Sequence, residues 1–134
     1  MTITTIDLFE SFLHLRPDGQ VRAEQPTFDP ERDGWQVMAF HVATDADLHA
    51  DHWEIHTRAD EVVSCLTGRI RLCFRPLRAG GEQEEVELAA GKAVIVPRGR
   101  WHRIELDAPG DILSVTLPQG SRLGSVLAIT SEAR

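Results

Sequence analysis

Turn-forming residues interrupt this sequence at short intervals, and that spacing limits the fold more than any other feature. Proline and glycine mark turns at residues 17–19, 97–99 and 108–110, and β-prone segments lie on either side of each turn. Roughly nine or ten short strands, with turn signals about every 8–12 residues, are typical of antiparallel sandwiches and jelly-roll barrels. The spacing therefore predicts an all-β fold built from antiparallel strands.

The predicted strands cover most of the chain. A hairpin is predicted from residues 12–16 and 20–23, and a polar loop at 44–47 follows the β-prone segment 35–43. Further strands are predicted at residues 52–56, 61–66, 69–74, 86–88, 91–96, 102–106 and 112–117, with turns at 67–68 and 108–110. The tail at 121–128 is expected to form a short helix or to be irregular. Residues 1–134 are expected to form one domain, with the barrel core at about 35–118.

The charge balance and the cysteine content narrow the partners and the compartment. The 14 Lys and Arg residues against 21 Asp and Glu residues give a formal net charge of −7, which disfavours binding to nucleic acid. No run of 18 apolar residues occurs, so no membrane partner is expected. The N-terminal residues lack a signal-peptide pattern, and Cys65 and Cys73 are too few for a disulfide framework. A cytoplasmic protein with free thiols is therefore expected.

Two histidines and two glutamates lie where neighbouring strands are expected to bring them together. In the strand at 52–56, the two-residue period places Glu54 and His56 on one face. Glu61 opens the next strand, and His102 opens a later one, after a turn with proline and glycine. A histidine and a carboxylate on adjacent strands, met by a second histidine from a third strand, form a mixed nitrogen and oxygen ligand set. Such a set suits Fe, Mn, Ni, Zn or Cu.

The spacing of these residues is similar to the two sequence motifs of the cupin superfamily. Four residues separate His56 from Glu61 and six separate Glu61 from Gly68, as in the second half of the first motif. The second motif is nearly complete, with its residues at Gly91, Pro97, Gly99 and His102. The resemblance covers about residues 52–106 and implies the double-stranded β-helix, or jelly-roll barrel, of a small single-domain cupin. It also implies that His56, Glu61 and His102 bind a divalent metal ion.

Glu54 departs from the family pattern, because the first ligand of the motif is usually a histidine at that position. The segment 53–56, Trp-Glu-Ile-His, is similar to the first motif of a subset of small cupins that reads Trp-Glu-x-His. The resemblance therefore implies a site of two histidines and two carboxylates: Glu54, His56, Glu61 and His102. The alternative for Glu54 is a salt bridge to Arg58 or Arg100.

The remaining histidines, cysteines and tryptophans have structural explanations. His14, His41 and His49 are expected at the surface or hydrogen-bonded in the core. His52 shares a face with Glu54, where it either joins the site or lies beyond the barrel wall. Cys65 is expected to be a small core residue or to line the pocket. Trp53 and Trp101 have the opposite strand parity from the ligands, which favours packing under a neighbouring strand or at a subunit interface.

The resemblance implies a metal-dependent function on a small organic molecule. Four protein ligands leave a divalent ion (Fe, Mn, Ni or Zn) with open positions, so a dioxygenase or an isomerase is the first hypothesis. The alternative is a non-catalytic module that binds a metal or a small ligand, for example as a sensor. The metal-free sugar epimerases of the family use a tyrosine, and this chain contains none. A homodimer is expected, because sheet edges and the tryptophans Trp35, Trp53 and Trp101 need cover.

Overall fold

The computed structural model describes residues 2–125, and nearly all of its regular structure is β-strand. The strands are β1 Phe12–Leu15, β2 Val21–Glu24, β3 Trp35–Val42, β4 His52–Ile55, β5 Glu61–Phe74, β6 Glu84–Ala89, β7 Lys92–Val96, β8 His102–Thr116 and β9 Arg122–Ser125. Within residues 2–125, one 3₁₀ turn, Asp45–Leu48, overlaps the predicted polar loop at 44–47. All pairings among these strands are antiparallel, which confirms the predicted all-β class. Between residues 2 and 125, no helix has the length and apolar character needed to cross a membrane.

The two long strands, β5 and β8, run through both layers of the fold. In the first layer the strand order is β2-β1-β3-β8-β5-β7, where Val62 faces Val115. In the second layer the order is β6-β5-β8-β4-β9, where Leu72 faces Ile104. Inward side chains from both layers form one apolar core: Val42, Val63, Cys65, Ile70, Leu72, Phe74, Leu88, Val96 and Ile112. This curled, two-layered antiparallel sheet belongs to the jelly-roll class predicted from the sequence.

Two of the predicted turns are bends within continuous strands. Residues 61–74 form β5 without interruption, and β8 continues through residues 108–110. A Cβ atom on Gly68 would lie 2.4 Å from the Pro109 carbonyl oxygen, and one on Gly110 would lie 2.1 Å from that of Thr67. Only glycine permits so close an approach, and the register between the two strands shifts at the same place. The prediction that the chain reverses at these glycines was therefore wrong.

The tail also differs from its prediction. Arg122–Ser125 is a strand that pairs with β4, where a short helix or an irregular segment was expected. The remainder of the predicted tail, residues 126–128, lies outside the described residues. The hairpin of β1 and β2 is confirmed. Because β9 lies beside β4, the residue that precedes it, Ser121, comes close to the predicted metal ligands.

Candidate metal centre

The ends of three strands bring the four predicted ligands to one place inside the barrel. Glu54 lies in β4 and pairs directly with His102, the first residue of β8. His56 follows β4, and Glu61 is the first residue of β5. The turn that precedes β8 is held here, since the Gly99 N–H donates to the His56 carbonyl oxygen at 2.8 Å. The turn predicted at 97–99 thus delivers His102 beside the other three side chains.

Polar atoms of these four side chains lie close to one another. His56 Nε2 lies 3.1 Å from Glu54 Oε1 and 3.2 Å from Glu61 Oε2. Glu61 Oε1 lies 3.2 Å from His102 Nε2. One potential ligand atom from each of Glu54, His56 and His102 lies within 4.8 Å of the other two. The structure therefore brings together all four residues, and Glu61 lies between the two imidazoles.

His56 Nε2 lies near two carboxylates but hydrogen-bonds to neither. The His56 side chain is 3% exposed, and within residues 2–125 its Nε2 atom has no hydrogen-bond partner of acceptable geometry. A buried polar atom without a hydrogen bond costs about 1–3 kcal/mol. A divalent cation would satisfy this nitrogen and the carboxylates together, because neutral imidazole and carboxylate are ordinary ligands of such ions. The donor set that is present thus fits a metal ion.

Three further groups orient the candidate ligands. The other ring nitrogen of His56, Nδ1, lies 2.7 Å from Ser121 Oγ. His102 Nδ1 lies 3.0 Å from the Arg100 carbonyl oxygen, which can only accept, so Nδ1 carries the proton and the Nε2 lone pair faces Glu61 in the neutral ring. The Thr116 hydroxyl donates to Glu61 Oε2. Such partners hold metal ligands in orientation.

Two of these orienting residues, Ser121 and Thr116, are not predicted from the sequence. Ser121 lies 65 residues from His56 along the chain, and no local pattern marks it. Thr116 could have been found by parity, since it shares the inward face of β8 with the buried residues Ile112 and Ser114.

The pKa values of the two carboxyl groups shift in opposite directions from their ordinary value. Burial acts to raise the pKa of Glu61, but the hydrogen bond with His102 and the nearby His56 imidazole outweigh it and lower that pKa to about 2. Burial, followed by the negative charge of Glu61, raises the pKa of Glu54. For His102, burial acts to lower the pKa, but the hydrogen bond and charge of Glu61 raise it overall. Without metal, the negative charge therefore resides on Glu61 and attracts a proton to His102.

A cavity of about 630 Å³ adjoins this cluster, and Glu54, Glu61 and His102 line it. His49 and His52 also line the cavity. Neither joins the group of Glu54, His56 and His102, and His52 Nδ1 lies 2.8 Å from Asp51 Oδ1 instead.

The other residues singled out in the sequence have the expected structural roles. His14 is buried and hydrogen-bonded, with Nε2 2.8 Å from the Asp33 carbonyl oxygen, and His41 is exposed beside Asp111. Cys65 is a core residue. The salt bridge considered for Glu54 is not formed with Arg100, which pairs with Glu84.

A second cluster of potential ligands, Cys73, Glu85 and Glu105, lies on the outer face of β5, β6 and β8. Its carboxylates already have cationic partners: Arg71 lies within 3.2 Å of both Glu85 and Glu105, and Arg103 donates to Glu105 at 2.6 Å. Burial raises the pKa of the Cys73 thiol to about 11, so the thiolate is disfavoured. This cluster is therefore neutralised by arginines and differs from the first.

No protein-family model and no curated protein sequence matches this chain. Solved structures do resemble it. A cupin-2 domain protein from Shewanella frigidimarina is 20% identical, with a TM-score of 0.49 over 69% of this chain and 79% of that one. A cupin superfamily protein from Desulfitobacterium hafniense is 18% identical, with a TM-score of 0.49 over 68% and 73%. Hydroquinone 1,2-dioxygenase in complex with Cd²⁺ and 4-hydroxybenzonitrile is 21% identical, with a TM-score of 0.45 over 62% and 57%.

These likenesses are of fold, and at TM-scores below 0.5 they say nothing about the chemistry of the site. That chemistry rests on the side chains of this chain.

Proposed function

We propose that this chain is a small metal-binding cupin that holds a divalent ion between Glu54, His56, Glu61 and His102. The observation that carries the proposal is His56 Nε2, which is buried without a hydrogen bond although carboxylate oxygens lie 3.1 and 3.2 Å away. Two histidines and two carboxylates form a harder and more anionic ligand set than three histidines and one carboxylate. Mn, Fe, Ni or Zn is therefore favoured over Cu(I).

We infer that the site is catalytic and acts on a small organic molecule, because Glu54, Glu61 and His102 line a cavity of about 630 Å³. A divalent ion there would polarise a ligand oxygen or bind O₂, as a dioxygenase or an isomerase requires. Glu54 supplies the proton chemistry. Its side chain is 34% exposed against 7% for Glu61, so it is the carboxylate that a bound molecule can reach. Thr116 and Ser121 hold Glu61 and His56 in place.

Metal content and turnover test the proposal. Protein purified without an affinity tag is expected to contain a transition metal at close to one ion per chain. An oxygen-uptake screen with and without added Fe(II) then separates the two functional hypotheses. Oxygen consumption with a small organic molecule supports a dioxygenase. Stoichiometric metal without any turnover, in this screen or in isomerisation assays, favours the non-catalytic binding module. Absence of metal, with no uptake of Zn²⁺ or Mn²⁺ on titration, contradicts the metal centre itself.

Glu54→Gln distinguishes a ligand from a base, because it keeps the shape of the side chain and removes its charge. If Glu54 binds the metal, the variant is expected to lose about tenfold or more in metal affinity, measured by competition with a chelator. If Glu54 acts only as a general base, metal affinity stays the same and turnover is lost. An unchanged affinity together with unchanged turnover would exclude Glu54 from the site.

We propose that the chain forms a homodimer through the outer face of the first layer. Apolar side chains form one continuous cross-strand row there: Ile95, Val62, Val115, Val37 and Leu13. Ile95 is 67% exposed and Val62 36%, so this row offers a second copy an apolar surface across five strands. Trp53 does not contribute as expected, since it is buried beneath Arg103.

Light scattering tests the dimer. The wild-type protein is expected at twice the chain mass of 14.9 kDa, and Ile95→Glu is expected to shift it to the monomer by placing a charge in the row. Leu77→Glu is the matched control, because Leu77 is 79% exposed and lies in the loop between β5 and β6. A wild-type protein that is monomeric at micromolar concentration contradicts the proposal.

We also propose that the protein resides in the cytoplasm. Cys65 and Cys73 are buried and unpaired, as is usual where thiols stay reduced. Fractionation of cells that express the untagged chain tests the location.

A further inference from the structure

The cavity beside the candidate metal centre has a mostly apolar lining. Its volume of about 630 Å³ lies in the usual range of small-molecule sites, about 300–1,000 Å³. The apolar part of the lining includes aromatic and aliphatic side chains: Phe12, Phe28, Met38, Phe40, Ile104 and Ile112. The polar part of the lining includes the candidate ligands Glu54, Glu61 and His102. A molecule that fills this space is therefore mostly in contact with hydrocarbon.

The cationic residues at the cavity have their charged groups engaged elsewhere. Arg103 and Arg122 border the cavity. The Arg103 guanidinium lies over the Trp53 ring, 5.1 Å from its centroid, and donates to Glu105 at 2.6 Å. Trp53 has the opposite strand parity from Glu54, so this guanidinium lies on the outer side of the sheet. The Arg122 guanidinium lies 6.0 Å from the centroid of the Trp101 ring.

The remaining titratable groups at the cavity are acidic residues or histidines. Asp47 borders the cavity, and its carboxylate accepts hydrogen bonds from the backbone N–H groups of Ala43 and Thr44 at 2.9 and 3.0 Å. His49 and His52 border it as well. No permanent positive charge within residues 2–125 thus faces the interior, where an anionic ligand would need one.

The charges of the centre cancel when a divalent ion is bound. Two carboxylates contribute two negative charges, and the two imidazoles that bind metal are neutral. A carboxylate on a ligand would bring an unbalanced charge into an apolar cavity, which is costly. We propose that the cavity takes an uncharged, largely apolar molecule that presents a hydroxyl or carbonyl oxygen to Glu54, Glu61 and His102. This inference names the substrate class of the proposed metal centre and rests on that proposal.

Phe28 offers a way to change the cavity without disturbing the core. It is 40% exposed and lies in the segment that crosses the rim of the barrel. That segment is held at both ends, because Gln36 Nε2 donates to the Thr27 carbonyl oxygen at 3.4 Å and the Gly120 N–H donates to that of Pro30 at 2.9 Å. Phe9 is similarly exposed, at 36%, but stacks on His41 away from the cavity, so it serves as the matched control.

Calorimetric titration of two molecules with the same ring system tests the inference. At pH 7, 2-naphthol is uncharged and 2-naphthoate carries one negative charge. Zn²⁺-loaded wild-type protein is expected to bind 2-naphthol about tenfold more tightly than 2-naphthoate, or better. Phe28→Ser is expected to weaken 2-naphthol binding about fivefold, and Phe9→Ser to leave it unchanged. Glu54→Gln at saturating Zn²⁺ removes one negative charge and is expected to narrow the preference.

Failure of this inference is distinguishable from failure of the metal centre. Equal or tighter binding of 2-naphthoate by Zn²⁺-loaded protein overturns the inference and leaves the metal centre intact. Binding of neither molecule also overturns it. If Zn²⁺ itself does not bind, the metal centre is contradicted, whereas a preference for 2-naphthol in the metal-free protein still supports an uncharged apolar ligand.

Discussion

Two buried histidine regions of this molecule look alike in composition and differ in what their nitrogen atoms contact. At the β1 end, His14 is 3% exposed, and its Nδ1 atom lies 3.3 Å from Glu24. Its Nε2–H donates to the Asp33 carbonyl oxygen at 2.8 Å, and its Nδ1 accepts from Arg32 at 3.0 Å. Arg32 also pairs with Glu24. Both ring nitrogens of His14 are thus hydrogen-bonded, and Arg32 balances the charge of Glu24.

The candidate metal centre has no such cation. Its two carboxylates, Glu54 and Glu61, form ion pairs only with imidazoles among the residues of the described range. His56 Nε2 has no hydrogen-bond partner in that range. A buried histidine beside a glutamate is therefore not enough to indicate a metal site. The informative difference is a nitrogen lone pair that faces carboxylate charge which no arginine neutralises.

Among the predictions for these two regions, we expect the largest difference between alanine substitutions of their histidines. His102→Ala removes a proposed ligand, so affinity for Zn²⁺ should fall by more than about 100-fold, measured by competition with a chelator. His14→Ala should lower the free energy of unfolding, because it removes buried hydrogen bonds, and leave Zn²⁺ affinity unchanged. His52→Ala controls for loss of a histidine that lines the cavity without joining the cluster. Full Zn²⁺ affinity in His102→Ala would place the metal elsewhere.

The stability of the metal-free protein in acid gives a second test of the candidate metal centre. The pKa of Glu61 is about 2 in the folded protein, below its ordinary value of 4.5. This group therefore contributes stability above about pH 4.5 that is lost as the pH falls towards 2. Glu61→Gln should remove this contribution to the loss of stability in acid, which is on the order of 3 kcal/mol at most. Urea unfolding with EDTA at pH 7 and pH 3 measures it.

Glu54→Gln is the opposite control for the acid stability. Burial and the charge of Glu61 raise the pKa of Glu54, so ionised Glu54 opposes folding and its protonation on acidification favours it. Glu54→Gln should therefore not reduce the loss of unfolding free energy between pH 7 and pH 3. If Glu61→Gln loses as much stability between pH 7 and pH 3 as the wild type does, Glu61 is not held ionised by the histidines.

The sequence predicts the strands and the proximity of the four candidate ligands better than it predicts where strands end. The two-residue period places Glu54 and His56 on one face of a strand, and the resemblance to the cupin motifs implies that Glu61 and His102 join them. The sequence predicts turns at Gly68 and Gly110, because local sequence cannot distinguish a chain reversal from a bend. That distinction depends on the partner strand, where the carbonyl oxygens of Pro109 and Thr67 approach the two glycines.

The groups that orient the ligands depend on long-range pairing, which the sequence alone does not determine. Ser121 reaches His56 only because β9 pairs with β4, and the tail was not expected to be a strand. Thr116 reaches Glu61 because β8 continues without a break to its C-terminal end.

Ser121→Ala is expected to have a smaller effect than His102→Ala or Glu61→Gln. It tests whether the His56 ring is held in orientation for metal binding. Ser121 Oγ lies 2.7 Å from His56 Nδ1, the place that the Arg100 carbonyl oxygen takes at His102. Loss of this partner should lower Zn²⁺ affinity about tenfold and stability by about 1 kcal/mol. Ser64→Ala is the matched control, because its hydroxyl donates to the Leu113 carbonyl oxygen at 2.7 Å away from the cluster. A loss of stability like that of Ser64→Ala, with Zn²⁺ affinity unchanged, would make Ser121 a packing residue only.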